Sequence, residues 1–300
     1  MKDSEQLPEV SGNAEACPVD ERILRPIRGR NDWPRTASEG EAVRRIVVVD
    51  TETTGLAVER HQIIELCMAV VLVNAAGHIV AVEVVRSGLN DPGHPLTAEI
   101  ADLTGLTDRD LAGRSIDEDQ VTSMLASCDG VIAYNAGFDR PFIEKMIDRH
   151  VPVPWGCAMA DVPWREIAFE PGPQGYLLNQ SGFYMPSAHR AKDDVLALIQ
   201  LLDHVCDEGE TIMAKTLKAM DAPAWRFEAQ GAPYGYKDDL RDQRYRWAWG
   251  RLHDLWYKHV RAEAYQAELD WYVSTIGKDP VIVPLPASER YRFHTTWTPA

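Results

Sequence analysis

The ten residues Ile46-Val-Val-Val-Asp-Thr-Glu-Thr-Thr-Gly55 constrain the fold of this chain more than any other stretch. Four β-branched residues in succession predict a strand buried on both faces, and Gly55 permits a sharp exit from it. Side chains alternate along a strand. Ile46, Val48, Asp50 and Glu52 therefore share one face, while Val47, Val49 and Thr51 share the other. Two carboxylates leave the end of a buried strand side by side. Like charges crowded where water is scarce are relieved by a raised pKa or by a cation between them, and a hard divalent cation is the better remedy. An isolated Asp-x-Glu describes an acidic strand end facing water equally well. The two readings separate only if distant parts of the chain bring further ligands.

Residues 1–41 mix Pro, Gly, Ser and charges without periodicity, so they are expected to be a flexible N-terminal leader. Ile63–Val73 predicts a second strand, Asn74-Ala-Ala-Gly77 a turn, and His78–Arg86 a third strand, together an antiparallel meander. Apolar spacing turns helical over Leu96–Leu106 and Ser115–Ala126, the second opened by a capping box of Ser115 and Glu118. Val131–Tyr134 reads as a short buried strand and Phe138–Arg149 as a helix. In that helix Asp139, Phe142, Ile143 and Met146 lie on the core side. Pro152–Pro186, rich in prolines and glycines, reads as lids and connections. From His189 to Val205 a longer helix follows. There Asp194 stacks with Leu198 and Leu201, whereas Asp193 aligns with Ala197, Gln200 and His204, so Asp194 is expected inside and Asp193 in solvent.

A formal net charge of −15 argues against a protein that coats long nucleic acid, though not against one that grips a few nucleotides through bound cations. No apolar run is long enough to span a bilayer, and the first residues lack the apolar stretch of a secretory signal. A cytoplasmic protein with no membrane partner is expected. The five cysteines are odd in number and scattered, which points away from a disulfide framework or a zinc knuckle.

Four carboxylates, Asp50, Glu52, Asp139 and Asp194, are thus expected to face inwards, with His189 just before the last. Carboxylates without thiolates suit Mg²⁺ or Mn²⁺ better than zinc. In order along the chain, Asp50-Thr-Glu-Thr-Thr-Gly-Leu56, Asn135-Ala-Gly-Phe-Asp139 and His189-Arg-Ala-Lys-Asp-Asp194 resemble the three motifs of the DnaQ-like DEDDh superfamily of 3′-5′ exonucleases. Ile63-Ile-Glu65 and Leu103-Thr-Gly-Leu-Thr107 fit its intermotif pattern. The resemblance implies an α/β ribonuclease H-like fold, a five-stranded mixed sheet flanked by helices. It also implies two divalent cations, Mg²⁺ or Mn²⁺, with Asp50 bridging them, Glu52 and Asp194 completing the first site, Asp139 at the second, and His189 as general base. Backbone around Thr53, Thr54 and Gly55 would approach the terminal nucleotide, Leu56 would pack on its base, and Glu65 would hold the 3′ hydroxyl. Asn135 has either a site role or a turn role. Hydrolysis of a phosphodiester by water needs such an arrangement, because a nucleophile must form at neutral pH and charge must be neutralised on the transition state.

The implied substrates are nucleic acid 3′ ends, as single-stranded DNA or RNA or short oligonucleotides. Arg140, Arg190 and Lys192 are the nearest basic residues, each more simply a solvated surface charge. A catalytically idle relative that binds nucleic-acid ends or a partner protein is the competing reading, as is a polymerase-associated proofreading subunit with a replication or repair partner. The expected organisation is an exonuclease domain over 42–206, a connecting helix over 207–222 and a small α+β accessory module over 223–300. In the last, Trp225, Tyr234, Tyr236, Tyr245, Trp247, Trp249, Trp256 and Tyr257 are interleaved with Lys and Arg. These aromatics either stack bases or, the reading preferred here, form the core of a domain poor in aliphatics. Sequence leaves the choice of sugar and the oligomeric state open.

Overall fold

A computed structural model describes residues 23–186, 189–248 and 255–292. Its centre is a five-stranded sheet in the order β4-β3-β2-β5-β6. The strands are β2 (Val43–Thr53), β3 (Ile63–Asn74), β4 (Ile79–Leu89), β5 (Gly130–Ala133) and β6 (Trp155–Cys157). The first three form the antiparallel meander, as their short connections require, while β5 and β6 run parallel to β2. A parallel strand needs a crossover. The crossovers are supplied by α1 (Ala98–Thr104), α2 (Asp108–Leu111) and α3 (Glu118–Ala126) before β5, and by α4 (Ala136–Met146) before β6. Strand β6 lies inside the stretch expected to hold only lids and connections, because three residues are too few to show a period. Asp117, not Ser115, caps α3, accepting a hydrogen bond from the Gln120 amide at 2.9 Å.

Both faces of the sheet are covered, which explains the unbroken apolar runs. Val47 and Val49 pack with Val121, Leu125, Phe142 and Ile143 of α3 and α4. On the opposite face, Ile46 and Val48 pack against α7 (Ala191–Leu202) and α8 (Ile212–Asp221). Helix α8 was expected to be a connector, yet it is part of this core. Ile212, Met213, Thr216 and Met220 are all buried, and the turn at Gly77 (φ +82°) lies against Ala214 so closely that a Cβ there would sit 2.4 Å from the alanine methyl. Short helices α5 (Ala158–Asp161) and α6 (Gln174–Gln180) lead from β6 back to α7.

The expected flexible leader also ends earlier than its composition implied. Residues 1–22 lie outside the described residues, but β1 (Arg25–Pro26) pairs with β7 (Phe183–Tyr184), Trp33 is buried in the main core, and Arg28 stacks on the Trp33 ring at 3.5 Å. Aperiodic chain can be fixed by side chains that neighbours grip one at a time, and periodicity does not register such contacts.

Beyond α8, a four-stranded antiparallel sheet is ordered β11-β8-β10-β9, from β8 (Ala224–Glu228), β9 (Arg246–Ala248), β10 (Leu255–Arg261) and β11 (Val281–Pro284). Two helices accompany it, α9 (Lys237–Asp242) and α10 (Tyr265–Ile276). Phe227, Tyr245 and Tyr272 are buried in its core, with Tyr236 and Trp256 packed against them. Tyr234 is 80% exposed, and Trp249 lies outside the described residues. The sheet is bonded to the larger domain through buried charge. Asp161 is paired with Arg261 and accepts from the Tyr291 hydroxyl. Arg140, fully buried, donates to the carbonyls of Ser288 and Arg290, each at 2.6 Å.

Candidate metal centre

The site forms where the C-terminal end of β2 meets the first turns of α4 and α7. Alternation along β2 turns Asp50 and Glu52 towards the α7 layer, and the helical period of α7 turns Asp194 back towards them. One carboxylate oxygen from each of Asp50, Glu52 and Asp194 lies within 4.8 Å of the others. Asp139 arrives from the opposite layer. Its Oδ1 accepts from the Thr51 amide at 3.0 Å and from the Thr51 hydroxyl at 2.8 Å, so it is fastened to the residue between the two strand carboxylates, on the other face. His189 is exposed and stands just before α7. Its amide donates to Asp194 Oδ2 at 3.1 Å.

Crowding shows in the proton affinities. Burial, followed by the charges of Asp139, Asp194, Glu52 and Glu65, pushes Asp50 well above the ordinary carboxylate range. Glu52 is raised to about 7 by burial and by Asp194, Glu65 and Asp139, with Arg190 opposing. Burial raises Asp139 to about 7 against the two Thr51 bonds, and raises Asp194 to about 6 against His189 and two backbone amides. A cluster of hard oxygen donors whose ionisation is opposed in this way fits a hard divalent cation, which would supply the missing positive charge.

The other expected substrate residues are placed unevenly. Thr53 and Thr54 are buried. The Thr53 hydroxyl donates to the Gly55 carbonyl at 2.7 Å, and the Thr54 hydroxyl accepts from the Gln62 amide at 3.1 Å, so these side chains shape the loop after β2. Gly55 (φ +154°) has the His61 ring against it, and Leu56, 85% exposed, projects from the same loop. Asn135 caps α4 through its carbonyl, which accepts from the Phe138 amide at 2.7 Å, rather than through its side chain. Glu65 is not open to a hydroxyl. It is 2% exposed and its oxygens accept from Arg190 and from the Ala191 amide. Arg140 is buried, as above, so it is not a surface contact for phosphate.

Three residues that sequence reasoning did not single out support the site. Thr51 anchors Asp139, and strand alternation already placed it on that face. Lys145 donates to the carbonyls of Val58 (2.6 Å) and His61 (2.9 Å), holding the loop after β2. Gln174 donates to the Asp194 carbonyl at 2.9 Å. No local pattern marks the last two.

Among the described residues, no helix is long and apolar enough to cross a membrane. The profile of the Exonuclease family, RNase_T, matches residues 47–202. The DNA polymerase III PolC-type proteins of Streptococcus pyogenes serotypes M1 and M5 are 35% identical over 109 residues, which is 35% of this chain. The chain spans only 7% of the length of those relatives. Among solved structures, Exonuclease X in complex with 5′ overhanging duplex DNA is 20% identical. That match covers 58% of this chain and 99% of the other, with a TM-score of 0.44. The E. coli ExoI–ssDNA complex is 13% identical over 82% of this chain and 66% of its own, with a TM-score of 0.48. With more than half its length matched, and a five-stranded mixed sheet of the ribonuclease H-like kind, this chain belongs to the Exonuclease (RNase_T) family of the DnaQ-like superfamily.

Proposed function

We propose that the protein is a DEDDh-type exonuclease that removes nucleotides from the 3′ ends of DNA or RNA with the help of two divalent cations, Mg²⁺ or Mn²⁺. The observation that carries this reading is the gathering of Asp50, Glu52 and Asp194, distant in sequence, within 4.8 Å of one another. A purely structural cluster of this kind would be self-repelling. Asp50, Glu52 and Asp194 would hold the first cation, and Asp139, with one oxygen committed to Thr51, would present its other oxygen to the second. When bound, the cations supply charge neutralisation and an acidified water.

The chain's own groups do the rest. His189, poised at the mouth of the site, takes the proton from the attacking water as general base. Its amide donates to one oxygen of Asp194, which ties the backbone that carries the base to that ligand. The loop held by Lys145 and by the Thr54–Gln62 bond presents Leu56 to the terminal base and backbone to the terminal sugar. Burial, joined at Asp50 and Glu52 by the charges of the neighbouring carboxylates, opposes ionisation of the ion-free site, so activity should require an added cation, and the cation should bind more tightly as pH rises.

End-labelled single-stranded DNA and RNA and frayed duplexes, incubated with Mg²⁺, Mn²⁺ or chelator, test this directly. A ladder growing from the 3′ end only when an ion is present is expected. Cleavage from the 5′ end, or in chelator, would refute it. The PolC-type relatives favour a second reading, a proofreading function beside a polymerase. Co-purification with a polymerase would distinguish that role from a free-standing enzyme.

A further inference from the structure

His189 is held in a backbone conformation that a histidine seldom adopts. Its φ of +65° lies in the left-handed region, which persists for a residue with a Cβ only where neighbours fix it. Arg190 and Glu65 are placed to do so. Arg190 Nε donates to Glu65 Oε2 at 2.9 Å and its Nη2 donates to Oε1 at 3.0 Å, while the Ala191 amide donates to Oε2 at 3.2 Å. Glu65 is buried and stands directly opposite Glu52 in the β2–β3 register. The backbone of Arg190 is gripped as well, its carbonyl accepting from the amides of Asp193 (2.8 Å) and Asp194 (3.0 Å). The residue after His189 is therefore tied at both ends, to the strand beside the one that carries Asp50 and Glu52 and to the first turn of α7.

From this geometry we infer that Arg190 is a positioning residue: its two-pronged pair with Glu65 sets where His189 stands relative to the carboxylate cluster. The inference rests on the nuclease reading above. A planar guanidinium on a carboxylate fixes an angle as well as a distance, which a lysine ammonium reproduces only in part. Arg190 also opposes, at Glu52, the negative charge that Glu65 adds there. Glu65 is thus the fixed end of a clamp and leaves the 3′ hydroxyl to other groups.

The test compares the parent protein with R190A, R190K, E65Q and the R190A/E65Q double variant. Each is assayed on a 5′-labelled single-stranded oligodeoxynucleotide with Mn²⁺, and hydrogen exchange is followed at the amides of residues 189–191. R190A should lower kcat by about 100-fold, the loss that a misplacement of about 1 Å brings, with KM changed less than about threefold. R190K should recover part of the loss, and E65Q should act in the same sense. The double variant should be no slower than R190A, because two halves of one clamp are not additive. Exchange at 189–191 should quicken in R190A while that of β2 stays constant. A kcat within about threefold of the parent, single losses that multiply in the double variant, or unchanged exchange would each overturn the inference. Failure of the parent to digest that oligonucleotide or its RNA counterpart, with Mg²⁺ or with Mn²⁺, would instead refute the nuclease reading, and the exchange data would still decide whether the clamp exists.

Discussion

Replacing Glu52 by Gln should make the ion-free protein more stable, although it removes a residue from the heart of the site. Glu52 is raised from 4.5 to about 7 by burial and by the facing carboxylates. A group whose pKa is raised on folding contributes stability that is fully present below its unfolded value and is lost as pH rises through its folded value. At pH 8 the folded protein thus bears a cost of about 2.5 units, or roughly 3 kcal/mol at 1.36 kcal/mol per unit, which residual contact with water reduces to about 2. Gln keeps the shape and cannot ionise, so it removes that cost. The variant should melt higher than the parent by roughly 4–8 °C in chelator at pH 8, and at the same temperature as the parent at pH 4, where Glu52 is protonated in both states. Saturating Mn²⁺ should reverse the order. Occupancy at about 100 times Kd stabilises the parent by about 2.7 kcal/mol, and the variant, lacking one ligand, gains much less. Thermal melts at two pH values, each with and without ion, give all four numbers. A variant that melts below the parent in chelator at pH 8, or that gains as much from Mn²⁺, would refute the cation-site reasoning.

Other outcomes follow from the same structure. The ion-free parent should lose stability from pH 5 to pH 8 as Glu52, Asp139 and Asp194 ionise through about 6 to 7, and the gain on adding Mn²⁺ should be larger at pH 8; denaturant midpoints would show both. Substituting His189 by Ala should lower kcat by about 100-fold or more while leaving the melting temperature within about 2 °C, because the ring is exposed; parental turnover would reject its role as base. Arg140→Ala should destabilise by about 3–5 kcal/mol, since it removes a fully buried cation that Glu144 and two carbonyls engage; a loss under about 1 kcal/mol in urea unfolding would refute this. For the same reason, ending the chain at Asp221 should abolish cooperative unfolding rather than merely alter substrate preference, as a detachable module would imply. A truncated chain with a sharp melt would show that the two domains are separable.

The carboxylate motifs were legible because a cluster of hard oxygen donors needs particular residue types at periods that the backbone enforces. Period two placed Asp50 and Glu52 together, and period 3.6 turned Asp194 towards them, but the face of α7 that Asp193 shares with Ala197 and Gln200 is buried rather than in solvent, and Asp193 is itself half-buried, because α7 is covered all round. The meander was legible because its connections are too short for a helix. Strand β6 was not, since three residues carry no period, and neither was the burial of α8, whose packing on Gly77 and Gly130 depends on glycines far away in sequence. Arg140 and Arg190 looked like solvated charges because sequence does not reveal whether a cation has a buried partner.

Sequence alone therefore determined which carboxylates face inwards and that a hard cation suits them, because alternation and helical turn are local properties of the chain. Tertiary structure decided which layer each one arrives from. It joined Asp139 to Thr51 across the sheet, closed Glu65 with Arg190, and fastened the C-terminal sheet to the nuclease core through Asp161 and Arg140. Those choices depend on which buried polar group finds a partner, and a partner more than a hundred residues away leaves no trace in local pattern.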